Sequence, residues 1–184
     1  MPETLRSSQW VPFPVELVFA FFANPGNLPH LMPVWRYARL ESSRLIAPPP
    51  RPLASDPALR FQSPAAGAGS EMAISFRMIP KIPLRTRWLA RITDFAWNSH
   101  FSDEQIHGPF ASWSHRHEIV AEMRDGQAGT LVTDAVEYTL PLGPLGTMAE
   151  AIFVRRQMEA MFAYRQQKLE EILPVASRQA ARRS

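Results

Sequence analysis

Residues 112–123 read Ser112-Trp113-Ser114-His115-Arg116-His117-Glu118-Ile119-Val120-Ala121-Glu122-Met123, and residues 130–140 read Thr130-Leu131-Val132-Thr133-Asp134-Ala135-Val136-Glu137-Tyr138-Thr139-Leu140. Both runs suit strands, in which successive side chains point to opposite faces. In the first, Trp113, His115, His117, Ile119, Ala121 and Met123 share one face. Ser114, Arg116, Glu118 and Glu122 share the other, which must be the wet one. In the second, Val132, Asp134, Val136, Tyr138 and Leu140 fall together. The two runs predict a hairpin whose dry face carries two histidines, an aspartate and a tyrosine. If residues 124–129 form the connecting loop with Met123 opposite Thr130, His117 faces Val136, His115 faces Tyr138 and Asp134 lies diagonal to His117. A slip of one residue would destroy this arrangement.

Outward from the hairpin, Glu71–Ile79, Leu84–Trp97 and Ser99–His107 read as further strands, with Gly108-Pro109 and Asp125-Gly126 marking turns. Consecutive strands with short connections imply an antiparallel meander. Its Ser99–His107 strand adds Phe101, Asp103, Gln105 and His107 to the concave face. Near the start, Leu5–Val11 reads as a strand stopped by Pro12 and Pro14. Val15–Phe22 reads as a short helix ending near Asn24-Pro25-Gly26, and Asn27 can cap a second one through His30 and Leu31, closed by Pro33. Trp35–Ile46 reads as a strand. Residues 47–69 hold Pro48, Pro49, Pro50, Pro52, Pro57 and Pro64 and cannot form a central strand or helix interior; long loops of this kind are often lids or entrance flaps. The last element is a helix over Thr147–Leu173 with Val154, Met158, Met161, Phe162, Leu169 and Ile172 on one stripe and Pro174 as its end. Met148, Met158 and Met161 suit an adaptable pocket wall as well as a plain core.

These elements predict an α+β fold in one domain, residues 1–173, with 47–69 as an excursion and 174–184 as a disordered basic tail. A chain of 184 residues is long enough to bury a sizeable core. It has no cysteine, which removes disulfides, thiolate metal sites and cysteine nucleophiles. The formal charge of +3 is matched by Arg178, Arg182 and Arg183 of the tail alone, so the body is neutral. A neutral body lacks the one-sided basic face that phosphate binding needs, and no nucleic acid partner is expected. Arg85, Arg87 and Arg91 form the one basic stripe, more often a solvated face than a docking surface. No apolar run reaches the length of a membrane span, and the first residues show no secretion signal, so the expectation is a soluble, cytoplasmic protein. Its oligomeric state is not written in the sequence.

A strand, two small helices, an antiparallel run and a long C-terminal helix is the order of the helix-grip fold. Four stretches resemble the SRPBCC superfamily, also called START-like or Bet v 1-like: residues 13–22, 108–117 and 134–143, and Phe162-Ala163-Tyr164-Arg165. They are most similar to bacterial ligand-binding SRPBCC and polyketide cyclase/dehydrase-like members. The resemblance covers about Leu5 to Leu173 and departs from the pattern in the long Pro-rich excursion. It implies a curved sheet wrapped around the C-terminal helix, with an apolar pocket between them. The expected partner is a small hydrophobic molecule, lipid-, quinone- or polyketide-like, and no cofactor is implied. Such folds host carriers and enzymes alike, so function must be argued from the site.

The candidate site is a polar cluster of Asp103, His115, His117, Asp134 and Tyr138 inside an apolar cup, with Arg165 near enough on the helix stripe to join it. Phe101, Gln105, Trp113, Val136, Met158, Met161 and Phe162 are the expected ligand-binding wall. Four readings stand open for the cluster. It is a satisfied hydrogen-bond network, a polar anchor for a ligand oxygen, an acid–base site built on His115, His117, Asp134 and Tyr138, or a metal site. The last ranks lowest, because His-x-His plus Asp has no second motif beside it, and no metal is assigned. A protein that docks through its basic tail and arginine strand is a further, separate reading.

Overall fold

The computed structural model describes residues 2–56, 59, 63–141 and 147–181, with the backbone alone for 147–151 and 181. Leu142 and Gly143 of the resembling motif, Pro57 of the excursion and Arg182 and Arg183 lie outside the described residues, as does the Met148 side chain. Strands β1 (Glu3–Val11), β2 (Arg39–Arg44), β3 (Glu71–Arg77), β4 (Arg85–Ala96), β5 (His100–His107), β6 (Ser112–Arg124) and β7 (Gln127–Thr139) form one sheet. Its order is β1-β7-β6-β5-β4-β3-β2, and every neighbouring pair is antiparallel. The two edge strands are joined by helix α1 (Val15–Ala23) and two 3₁₀ segments, Pro25–Leu31 and Val34–Arg36. Helix α2 (Thr147–Ala181) follows β7 and packs on the concave face. This is the helix-grip α+β architecture.

Alternation holds where the strands bury one face. On β6, Trp113, His115, His117 and Ile119 are buried, as are Met72, Ile74 and Phe76 on β3. Register shifts at Leu40/Ser42, Leu89/Ala90 and Ile92/Asp94 insert extra residues into the β2–β5 half. Such bulges bend and twist a sheet, and here they suit a surface that curls around α1 and α2. The ring of Phe19 on α1 meets Phe95, Trp97 and Phe101 at centroid distances of 5.4–6.0 Å.

Five expectations are corrected. The β6–β7 turn is the two residues Asp125 and Gly126, both at positive φ, with Arg124 opposite Gln127. This favoured hairpin geometry moves the register by two residues and keeps every side chain on its expected face. Beyond Ile119 the hairpin runs past the core, so Ala121 and Met123 are not buried. The second short helix starts at Pro25, where the Asn24 side chain, not Asn27, accepts from the Gly26 amide. Asn27 instead donates to the Phe21 carbonyl. Trp35 and Arg36 lie in a 3₁₀ turn ended by Tyr37 at φ 46°, leaving β2 to begin at Arg39. Finally, Pro174 lies inside α2, which continues to Ala181, so residues 174–181 extend the helix and are no separate tail. An interior proline costs a helix about 3 kcal/mol. Burial of Leu169 and Leu173 before it and Ala180 after it offsets that, at about 1.5–3 kcal/mol for each leucine.

The Pro-rich excursion is laced to the body at both ends. The Gly67 amide donates to the Ile46 carbonyl and the Ala66 amide to Ala23 of α1. Trp97 donates through Nε1 to the Pro49 carbonyl. A Cβ at Gly67 would lie 2.6 Å from the Pro48 backbone, so only glycine lets the two ends cross this closely.

Candidate functional site

Register alone assembles the polar cluster. Asp134 on β7 lies directly opposite His117 on β6, and Asp103 on β5 lies opposite His115. One oxygen of Asp134 is the hub. His115 Nε2 donates to Oδ1 at 3.0 Å, His117 Nδ1 lies 2.7 Å from the same atom, and Arg165 Nη1 donates to it at 3.2 Å. An ionised carboxylate offers no proton, so a ring nitrogen that bonds it carries its own; Arg165 Nη2 also lies 3.4 Å from His117 Nδ1, and we assign both ring protons to the Asp134 side. That assignment turns the opposite nitrogens toward Asp103: His117 Nε2 is 3.4 Å and His115 Nδ1 3.8 Å from its Oδ2. Phe101 stacks on the His117 ring at 4.3 Å and 24°, and the two imidazole centroids are 3.8 Å apart.

Electrostatics separates the two histidines. Burial, with His117 alongside, pushes His115 below its ordinary value despite the pull of Asp134. Burial also opposes charge on His117, but hydrogen bonds to Asp103 and Asp134 outweigh it and the net shift is upward. The pair therefore holds its first proton on His117. Burial raises the Asp134 carboxyl, yet Arg165 and the two imidazoles hold it well below the usual carboxylate range. A charge this deep is tolerable only because it is so fully partnered.

Asp103, His115, His117 and Arg165 border a cavity of about 200 Å³ between the sheet and α2. Most of its wall is apolar, with Trp88, Trp113, Phe76, Met158 and Met161 prominent. A second polar station is Arg36, only 6% exposed. Its Nη2 donates to Gln157 Oε1 at 3.3 Å and its Nη1 to the Arg77 carbonyl at 3.4 Å, while the guanidinium lies over the rings of Trp35 and Phe76. Burial pushes its pKa down, and no carboxylate pairs with it among the described residues. Arg36, Gln157 and Met161 also border an outer groove along Val34, Tyr37 and Tyr164, so they partition the cavity from solvent. Gln157 and Arg165 are eight residues apart on α2, which sets the two stations roughly 12 Å apart along the helix.

Of the expected wall, Phe101, Asp103, Trp113, Met158, Met161 and Arg165 border the cavity. Val136 and Phe162 are buried behind it in the cluster with Trp113, Tyr138 and Met158. Gln105 is occupied with the β5–β6 turn, where its amide bonds both the N–H and the carbonyl of Phe110, and His107 is exposed. Tyr138 is almost wholly buried. Burial raises its hydroxyl pKa, as does nearby Glu3, and the hydroxyl bonds neither imidazole nor Asp134. Arg85 and Arg91 of the basic stripe pair with Glu41 and Glu71. Arg36, Trp88, Phe110 and Phe22, whose ring lies under Arg165 at 4.6 Å, were not among the expected site residues. Trp88 shares the inward face of β4 with Ala90 and Ile92, a signal that alternation offered. Arg36 had none, because it sits in a turn that read as strand.

Among curated proteins no sequence matches. Solved structures do. TTHA0849 from Thermus thermophilus superposes with a TM-score of 0.58 at 18% identity, covering 95% of this chain and 99% of its own. Ara h 8.0201 superposes with a TM-score of 0.53 at 13% identity, covering 92% and 99%. Identities this low speak for the fold alone. No helix of the described residues is long and apolar enough to cross a membrane. Residues 11–162 match the family described as polyketide cyclase / dehydrase and lipid transport, which supports binding of hydrophobic ligands in general. With that match spanning most of the sheet and the cavity-facing part of α2, the chain belongs to the polyketide cyclase / dehydrase and lipid transport family, within the SRPBCC superfamily.

Proposed function

We propose that this protein binds a small, largely apolar molecule, lipid-, quinone- or polyketide-like, in the cavity between the sheet and α2. The observation that carries the reading is the cavity itself, an aromatic and methionine wall whose charged groups are gathered at two stations. That is the usual design of a small-molecule site, in which apolar surface supplies affinity and a few polar groups fix orientation. At about 200 Å³ the space suits a single ring or a short chain. Arg36, a buried cation without a carboxylate, favours a ligand whose outer end carries an anionic or carbonyl oxygen. Native mass spectrometry of the purified full chain, followed by denaturation and identification of what is released, tests the reading. A stoichiometric apolar molecule supports it. A ligand-free mass together with no tryptophan quenching by octanoate or 1-octanol rejects it.

The His115–Asp134–His117 arrangement favours a second reading, acid–base catalysis on the bound molecule. A buried imidazole held by a carboxylate can relay protons in an aldol-type cyclisation or a dehydration. Tyr138 has no part in this, since its hydroxyl does not reach the imidazoles. The double variant His115→Gln, His117→Gln separates the readings: catalysis requires turnover that vanishes while binding persists.

A further inference from the structure

We propose that Asp103, His115 and His117 form a binding site for one divalent transition-metal ion of the zinc class, with its remaining coordination position open to the cavity. The argument begins with where the ring protons are. Asp134 takes the N–H of His115 Nε2, and its Oδ1 lies 2.7 Å from His117 Nδ1, which Arg165 Nη2 also approaches at 3.4 Å; with each ring proton on the Asp134 side, His115 Nδ1 and His117 Nε2 are lone-pair donors. Both face the same oxygen, Asp103 Oδ2, at 3.8 and 3.4 Å. Two lone pairs and an anion converging on one point need a cation between them. No other polar group of the described residues approaches those two nitrogens. The three ligand atoms lie within 4.8 Å of one another. Tetrahedral coordination with bonds of ~2.0–2.1 Å separates neighbouring ligand atoms by about 3.4 Å, so the spacing needs little adjustment.

The surroundings match what a metal site requires. Metal-bound imidazoles commonly donate their far N–H to a carboxylate that fixes tautomer and ring orientation, and Asp134 does this for both at once. Arg165 donates to Asp134 Oδ1 from behind at 3.2 Å, and Phe101 stacks on the His117 ring. Three protein ligands with an open fourth position is the pattern of reactive rather than purely structural zinc sites, and all three ligand residues border the cavity. The charges also close. Asp103, Asp134 and Arg165 sum to one negative charge with neutral imidazoles. A divalent ion overshoots that by one unit, which a hydroxide or an anionic ligand oxygen from the cavity offsets. Sequence alone ranked this possibility last because His-x-His plus Asp has no second motif beside it; the β5–β6 register sets Asp103 directly opposite His115.

The test uses the full chain stripped with EDTA, then exposed to Zn²⁺ or Co²⁺ and desalted. The expected result is one Zn²⁺ per chain by elemental analysis and visible d–d bands on Co²⁺ uptake. Asp103→Asn, near-isosteric at a partly exposed position, should keep the wild-type melting temperature and lose at least about 100-fold in Zn²⁺ affinity. Asp134→Asn should lose roughly 10–100-fold, the usual effect of removing a partner behind the ligands. Substoichiometric uptake by the wild type, or uptake unchanged in Asp103→Asn, overturns the site. Octanoate binding measured on the same metal-free protein keeps the two questions apart: binding intact with no metal uptake overturns the metal site alone.

Discussion

At the residue scale, the unequal environments of His115 and His117 have opposite consequences for stability. In His117→Gln the remaining His115 loses the repulsion of His117 but keeps burial, the largest cause of its lowering. As pH falls below the ordinary value of 6.5, the unfolded chain takes up the proton first and the protein is destabilised. In His115→Gln the remaining His117 is raised by its carboxylates. The folded state then takes up the proton first, so its stabilisation is complete below the unfolded value and is lost as pH rises through the folded one. Urea midpoints compared at about pH 8 and about pH 5.5, the window of histidine titration, should therefore move in opposite directions relative to wild type. Midpoints that move together would contradict the assignment of the shared proton to His117. Arg36 permits an equally local test. Wild type should prefer octanoate to 1-octanol by roughly tenfold, since a hydrogen bond to a charged group contributes about 1.5–3 kcal/mol. Arg36→Met should abolish that preference while leaving octanol affinity near wild type.

At the element scale, the hairpin that holds the site depends on two glycines for different reasons. Gly126 has φ +77°, and a Cβ there would meet nothing within 4 Å. Gly126→Ala therefore adds only backbone strain, about 1–2 kcal/mol. A Cβ on Gly129 would lie 2.3 Å from the Trp10 ring and 2.6 Å from the Val11 carbonyl. Gly129→Ala must push β1 away from β7, and it should cost more than Gly126→Ala in chemical denaturation. Equal costs would mean that β1 yields freely. The same hairpin shows how far the sequence could be read. Alternation assigned the inward faces of β6 and β7 because one face is dry and the other carries charge. It did not assign the partners, because treating 124–129 as a six-residue loop hid the two-residue turn at Asp125-Gly126. The error was an even number of residues, so the faces survived and only the opposite neighbours changed. Asp134 moved from diagonal to directly across from His117.

At the scale of the whole molecule, the fold order was legible because most strands and helices are punctuated by proline, glycine or asparagine. The far end of the cavity was not, because Arg36 reaches it through tertiary packing of a turn against β3 and α2. What the sheet and α2 do together is leave a space unfilled. Protein interiors pack densely and voids forfeit contacts, so an unfilled apolar space costs stability unless a ligand occupies it. Ala90 lies at the centre of β4, buried and facing that space. Ala90→Leu adds three carbons, which contribute up to about 2.4 kcal/mol when buried at about 0.8 kcal/mol each. With the cavity open in solution, the variant should be at least as stable as wild type while octanoate affinity falls tenfold or more. If the cup instead closes on its own side chains, the added leucine has nowhere to go. Overpacking then costs about 1–3 kcal/mol, and the melting temperature falls rather than rises. The sign of that one shift decides whether the protein keeps its cavity in the absence of a guest, and so whether binding selects a formed site or must first reopen it.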